Sequence, residues 1–196
     1  LPFVTFELPG EMREAVGDYQ RQLFLIDHAG LPLRTVLEQM EVLGGEIVPA
    51  LRKEFDLYAN LRPAKTVLTG GRFENVDIVI VRENTEGLYV GIENYVKVGD
   101  DPHAVAQSVA IVSRHAAERI VRYAFDYALT HQRKKVTLVH KANILKMVGG
   151  LFLEVGRSVA REFEGKVACN DLIVDNAAMQ LVLKPEQFDV MVTTNM

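Results

Sequence analysis

The chain predicts an α/β fold, on three observations. Short apolar, β-branched runs recur at Val76–Val81, Val136–Val139, Val167–Val174 and Phe188–Val192. Between them lie longer stretches whose apolar residues return at three and four positions, the helical period. Each run ends abruptly in polar residues, as strands of a layered sheet end at a functional edge.

Toward the amino end the signals are local. Leu1–Leu8 alternates as a strand would and is closed by Pro9-Gly10, and Glu11–Asp27 reads as a helix. Thr35-Val36-Leu37-Glu38 has the form of a capping box, with a hydroxyl at the cap and a carboxylate three residues on. Its helix runs to Gly44-Gly45. Ile47–Phe55 reads as another helix, and Asn60–Pro63 is extended because a residue before proline is pushed out of the helical region. Thr69–Arg72 reads as a turn into the Val76 strand, whose composition suits a buried parallel strand.

After Gly91, Ile92–Val98 alternates as an arm strand. Asp101-Pro102 then predicts a helix start, with aspartate as cap and proline in the first turn. Val105, Val109, Val112, Ala116, Ile120, Tyr123 and Tyr127 carry its stripe to about Thr130. Arg133-Lys134-Lys135 reads as a solvated turn. Leu151–Phe163 is a helix stopped near Gly165, with Gly149-Gly150 opening it. Val167–Val174 is a strand ending in Asp175, and Ala177–Leu183 a helix ending before Pro185.

Composition excludes several classes. A net charge of −4 gives no electrostatic reason to expect nucleic acid or an anionic membrane as partner. No apolar run reaches the roughly 18 residues a membrane span needs. The single cysteine, Cys169, excludes an internal disulfide and a cysteine-built metal site. It suits a reducing, cytoplasmic compartment and reads as a small core or near-core residue. The five histidines show no paired ligand spacing and read as surface or core residues, with His140 a candidate to line the site.

The strand ends concentrate the chemistry. They deliver Arg82, His140-Lys141-Ala142-Asn143, Asp175 and Asn195, with Arg52 and Arg62 just upstream and Tyr89 seven residues after Arg82. Guanidinium groups stay charged and pair bidentately with carboxylates, so three arginines on one pocket would suit a di- or tricarboxylic acid. The competing readings are plain ones: Arg82 and Glu83 as a surface ion pair, Tyr89 as a packed aromatic, Lys141 as a solvated chain. A lysine works as a base near neutral pH only where burial or nearby cations lower its pKa.

Four stretches also carry a resemblance: RENTEGLYVG (82–91), LRKEFDLYANLRPAKT (51–66), VTLVHKANILKM (136–147) and LIVDNAAMQLVLKPEQFDVMVTTN (172–195). Together they resemble the metal-dependent β-decarboxylating dehydrogenases of the isocitrate/isopropylmalate family, in particular the isocitrate and homoisocitrate enzymes. The resemblance covers about residues 51–195. It implies an isocitrate/isopropylmalate dehydrogenase-like fold, with 51–196 mainly the small, dimer-forming substrate domain plus a flanking large-domain strand. Residues 1–50 remain an unmatched α/β segment.

It further implies roles for these residues. Arg52, Arg62 and Arg82 would hold substrate carboxylates; Asn143 would lie near substrate and cofactor, and Asn195 near cofactor. Tyr89 and Lys141 would be the acid–base pair, and Asp175 a ligand of Mg²⁺ or Mn²⁺. The cofactor would be NAD, with NADP open. The site would be shared between the two chains of a homodimer, Lys141, Asn143 and Asp175 serving the neighbour's substrate. The expected reaction is oxidative decarboxylation of isocitrate to 2-oxoglutarate. Homoisocitrate is the alternative substrate, although Gly-Ile-Glu and Phe-Asp-Tyr around the long helix tilt toward isocitrate. A non-catalytic dimerisation or regulatory subunit, or an engineered small-domain fragment, is the alternative of another class. The family's glycine–aspartate–glycine loop, its two further aspartates and its adenosine-gripping loop have no counterpart here, so the chain is expected to be incomplete for activity.

Overall fold

The computed structural model describes residues 54–66, 70 and 73–195. The elements expected before residue 54, and most of the Thr69–Arg72 turn, lie outside the described residues. Among the described residues, seven strands and three α-helices follow in order: β1 (Ala59–Lys65), β2 (Asp77–Glu83), β3 (Glu93–Val98), β4 (Asp101–Ser108), α1 (Arg114–Thr130), β5 (Lys135–His140), α2 (Val148–Glu162), β6 (Ala168–Ile173), α3 (Val174–Leu183) and β7 (Val190–Thr193). Five strands make one sheet in the order β1-β2-β7-β5-β6; β3 and β4 form a separate two-stranded ribbon. Within the sheet β2, β7, β5 and β6 are parallel, and β1 is antiparallel at the edge.

Alternation along the central strands sorts side chains to two faces. Val79, Val81, Val136, Leu138, Val190 and Val192 point to the side covered by α1 and α2. There they meet Ile120, Ala124 and Phe125 of α1 and Phe152, Val155 and Val159 of α2, all essentially inaccessible to solvent. Phe125 stacks on Phe163 with ring centres 4.9 Å apart. The opposite parity, Ile78, Val139 and Met191, packs with Ala177 and Phe188 in a smaller cluster beneath α3.

The structure corrects four expectations. Asp101-Pro102 opens a strand, β4, which pairs antiparallel with β3 across a register shift between Val96 and Val98. The long helix starts instead after Ser113, whose Oγ accepts from the Ala116 N–H at 3.1 Å. Asp175 falls in the first turn of α3 rather than at a strand end. Arg133 is not solvated: its side chain, 15% exposed, pairs with Asp77 and Asp189. Cys169 is not a core residue: it is exposed on β6, an edge strand among the described residues.

Candidate active site

All four parallel strands finish at the same edge of the sheet, and the candidate residues gather there. The register pairs Asn60 with Arg82 and Arg62 with Ile80. Cross-strand partners share a face, so Arg62, Ile80 and Arg82 look to the side that carries Val139, Met191 and Thr193. On that side lies a cavity of about 470 Å³ lined by Arg62, Arg82, Tyr89, Thr193 and Thr194, with Ile80, Val139, Met191 and α3 residues as its apolar wall. A concave site with an apolar wall and a few convergent polar groups is the usual form of a small-molecule pocket.

Each polar group is held by its own contacts. The Arg82 guanidinium lies 5.0 Å from the centre of the Tyr89 ring, within cation–π range. It also donates to the Asn195 side-chain oxygen. Asn195, 2% exposed, donates in turn to the Glu86 carbonyl at 2.8 Å. Arg62 donates through Nε to Asn60 Oδ1 at 3.0 Å. Tyr89 sits in a single 3-10 turn, Leu88–Val90, and is 64% exposed.

The loop after Arg82 is stiffened by carboxylates turned inward. Glu83 is 4% exposed and accepts from the Thr85 N–H at 2.9 Å and the Glu86 N–H at 2.7 Å. Arg82 and Glu83 therefore do not form a surface pair with each other. Glu86 accepts from the Ser113 N–H at 2.7 Å and the Ser113 hydroxyl at 2.6 Å, joining the loop to the start of α1. Arg119 crosses from α1 to Thr85 Oγ1 at 2.9 Å and to Asp56 at 2.8 Å. Gly87 has φ +82°, and a Cβ there would overlap the Asn195 carbonyl oxygen and lie 2.9 Å from Asn195 Cβ.

Lys141 and Asp175 come together two strands away. The Lys141 amine is ion-paired with Asp175 Oδ2, and this hydrogen bond holds the Asp175 carboxyl below the usual carboxylate range. Asn143 is exposed in the turn after β5. Arg52 lies outside the described residues. Among the described residues no group of three or more His, Cys, Asp or Glu side chains could hold a metal ion. Asp175 alone offers one exposed oxygen donor set, which does not make a cation site.

Residue alternation could have assigned Thr193 to the pocket, because it shares parity with Met191. The inward use of Glu83 and Glu86 had no signal in the sequence, since charged residues after a strand ordinarily face water. His140 is buried against Asp171 and is not among the residues that line the cavity.

Fold and cavity together define an α/β protein with a cationic, phenol-bearing pocket at the carboxyl edge of its sheet. The family model for isocitrate/isopropylmalate dehydrogenase matches residues 34–196, and the chain belongs to this family of oxidoreductases. The match begins upstream of residue 51, where the recognisable motifs start.

The NAD isocitrate dehydrogenase regulatory subunit 3 of Arabidopsis thaliana mitochondria is 52% identical over 149 residues, covering 74% of this chain and 38% of that protein. Homoisocitrate dehydrogenase of Methanocaldococcus jannaschii is 45% identical over 157 residues, 74% of this chain and 43% of that protein. The crystal structure of isocitrate dehydrogenase from Methylococcus capsulatus superposes with a TM-score of 0.71 at 55% identity, covering 75% of this chain and 43% of that one. The chain spans about two fifths of the length of these relatives. Among the described residues no helix is long and apolar enough to cross a membrane.

Proposed function

We propose that this chain provides the substrate-binding and dimer-forming part, about residues 51–196, of a dehydrogenase that oxidatively decarboxylates isocitrate to 2-oxoglutarate. The observation that carries the proposal is the opening of Arg62, Arg82 and Tyr89 onto one cavity at the carboxyl edge of the sheet. Arg62 and Arg82 bind two carboxylates of the acid and orient it, with Arg52 as a third anchor. Asn195 serves the site by holding the Arg82 fork in place, which keeps that anchor aimed during turnover, and it borders the cofactor together with Asn143.

The Lys141 amine, lent by the second protomer of a homodimer, takes the substrate hydroxyl proton once its ion pair with Asp175 has opened and the ammonium has released its own proton to solvent. NAD or NADP, when bound beside Asn143 and Asn195, would supply the acceptor for the hydride of the hydroxyl-bearing carbon, and the resulting β-keto acid can lose CO₂. Tyr89 then delivers a proton to the carbon that has lost the carboxylate. Asp175 is the proposed donor for Mg²⁺ or Mn²⁺. A complete ligand set needs groups beyond the described residues, so no step here depends on the ion. A cytoplasmic location stays part of the proposal, on the single cysteine; the Arabidopsis relative's name places that protein in mitochondria.

The similarity to a regulatory subunit favours one other reading, in which the pocket binds the acid without converting it. NAD reduction by the complete two-chain enzyme, with isocitrate and homoisocitrate compared, tests both. Turnover of isocitrate that is abolished by Lys141→Met supports the catalytic proposal. Tight isocitrate binding with no turnover supports the regulatory one, and faster turnover of homoisocitrate moves the substrate assignment. The 196-residue chain alone is expected to turn over little, and robust NAD reduction by it would refute that expectation.

A further inference from the structure

We infer that His140 is a positioning residue for Lys141, fixing the peptide from which the amine projects. The inference rests on the proposal that Lys141 is the base. His140 is the last residue of β5, and its side chain is 6% exposed. Nδ1 accepts from the Ala142 backbone N–H at 3.1 Å, so that nitrogen carries no proton. The ring proton of the neutral imidazole then sits on Nε2, which faces Asp171 Oδ2 on the neighbouring strand at 3.4 Å. Asp171 is itself gripped by Arg157 of α2, at 2.8 Å from Nη2 and 3.2 Å from Nε. An orienting carboxylate that selects one tautomer leaves the other nitrogen free for one task.

That task is to hold the Lys141–Ala142 peptide. Its N–H is taken by His140, and its carbonyl accepts from the Ile144 N–H at 3.2 Å and the Leu145 N–H at 2.9 Å. From the other side α2 presses on the same peptide. A Cβ on Gly149 would lie 2.8 Å from the Ala142 nitrogen and 2.9 Å from the Lys141 carbonyl carbon, so only glycine lets the helix come this close. A lysine amine ends a flexible four-carbon stem, and fixing its root shrinks the volume it explores. His140 makes no contact with the cavity, so it acts through Lys141 and not on substrate.

Two substitutions separate this from a purely structural role. His140→Asn places an oxygen at the level of Nδ1 and can still accept from Ala142, whereas His140→Gln keeps a donor for Asp171 but offers no acceptor at that level. In the complete enzyme, H140Q should lower kcat by about 10- to 100-fold with little change in KM for the acid, because the arginines are untouched. H140N should recover most of that loss. Hydrogen exchange at the Ala142 amide, read in parallel, should quicken in H140Q and return toward the wild-type rate in H140N. Equal kcat in H140Q and wild type, or equal Ala142 protection in both variants, would overturn the inference. If Lys141→Met kept full turnover, the assignment of Lys141 itself would fall. If Lys141→Met were inactive while H140Q stayed fully active, only the positioning role would.

Discussion

Gly87→Ala tests whether the loop after Arg82 is built as described. Gly87 has φ +82° and ψ −144°, a region close to glycine-only backbone space that costs other residues about 1–3 kcal/mol. The added methyl group would also overlap the Asn195 carbonyl oxygen, and backbone cannot step aside as a flexible side chain can. Overpacking of this kind adds about 1–3 kcal/mol. The total is about 2–6 kcal/mol if the loop stays in place. If it moves, the Asn195 hydrogen bonds to Arg82 and Glu86 must break, and the Arg82 fork is released. Urea unfolding reads the first outcome as a midpoint lowered by about 1 M or more, given slopes of about 1–3 kcal/mol per M. Isocitrate titration reads the second as weakened binding. An alanine variant with wild-type midpoint and wild-type affinity would refute the packing argument.

Phe125→Ala, at a fully buried position stacked on Phe163, should cost about 3–5 kcal/mol in the same unfolding experiment, since the cavity lies between sheet and helix layers. Acid should destabilise the fold. The hydrogen bond from Arg133 holds the Asp77 carboxyl below its ordinary value, and Arg157 and His140 hold Asp171 low against the opposing effect of burial. Such groups add stability above their ordinary carboxylate values and lose it as pH falls through the lowered ones. Unfolding free energy should therefore be flat near neutrality and decline below about pH 4. Asp77→Asn should remove less than about 1 kcal/mol of that dependence, because the carboxylate is 44% exposed. A decline that Asp77→Asn leaves unchanged would count against this ion pair.

Much of the sheet was legible because parallel strands buried on both faces leave unbroken apolar runs, as at Val136–Val139 and Val190–Val192. Of the helix expected from Asp101 to about Thr130, only the second half, from Ser113 on, is helical. Val105 and Val109 are four apart, a spacing that suits a helix turn and also two steps of a strand, so periodicity could not choose. The local cap signal was equally ambiguous: Asp101 Oδ1 accepts from the His103 N–H at 2.9 Å, a contact of the same kind that an N-cap makes. What decided for β4 was pairing with β3, a partner that lies outside any local window. Of the pocket's arginines, Arg82 stood at a strand end and Arg62 in the segment just upstream, and both were visible, whereas the bonds that fix Arg82 and its loop run from residue 82 to 195 and from 86 to 113. No spacing rule reaches across such separations.

The most direct measurement of the central claim is a double-substitution cycle on isocitrate binding, with Arg62→Met, Arg82→Met and the pair titrated alongside wild type. Two guanidinium groups holding one polyanion predict at least tenfold weaker binding for each single variant. They also predict weakened salt dependence and a double variant whose loss departs from the sum of the singles. Affinity unchanged by either substitution would contradict the shared carboxylate pocket.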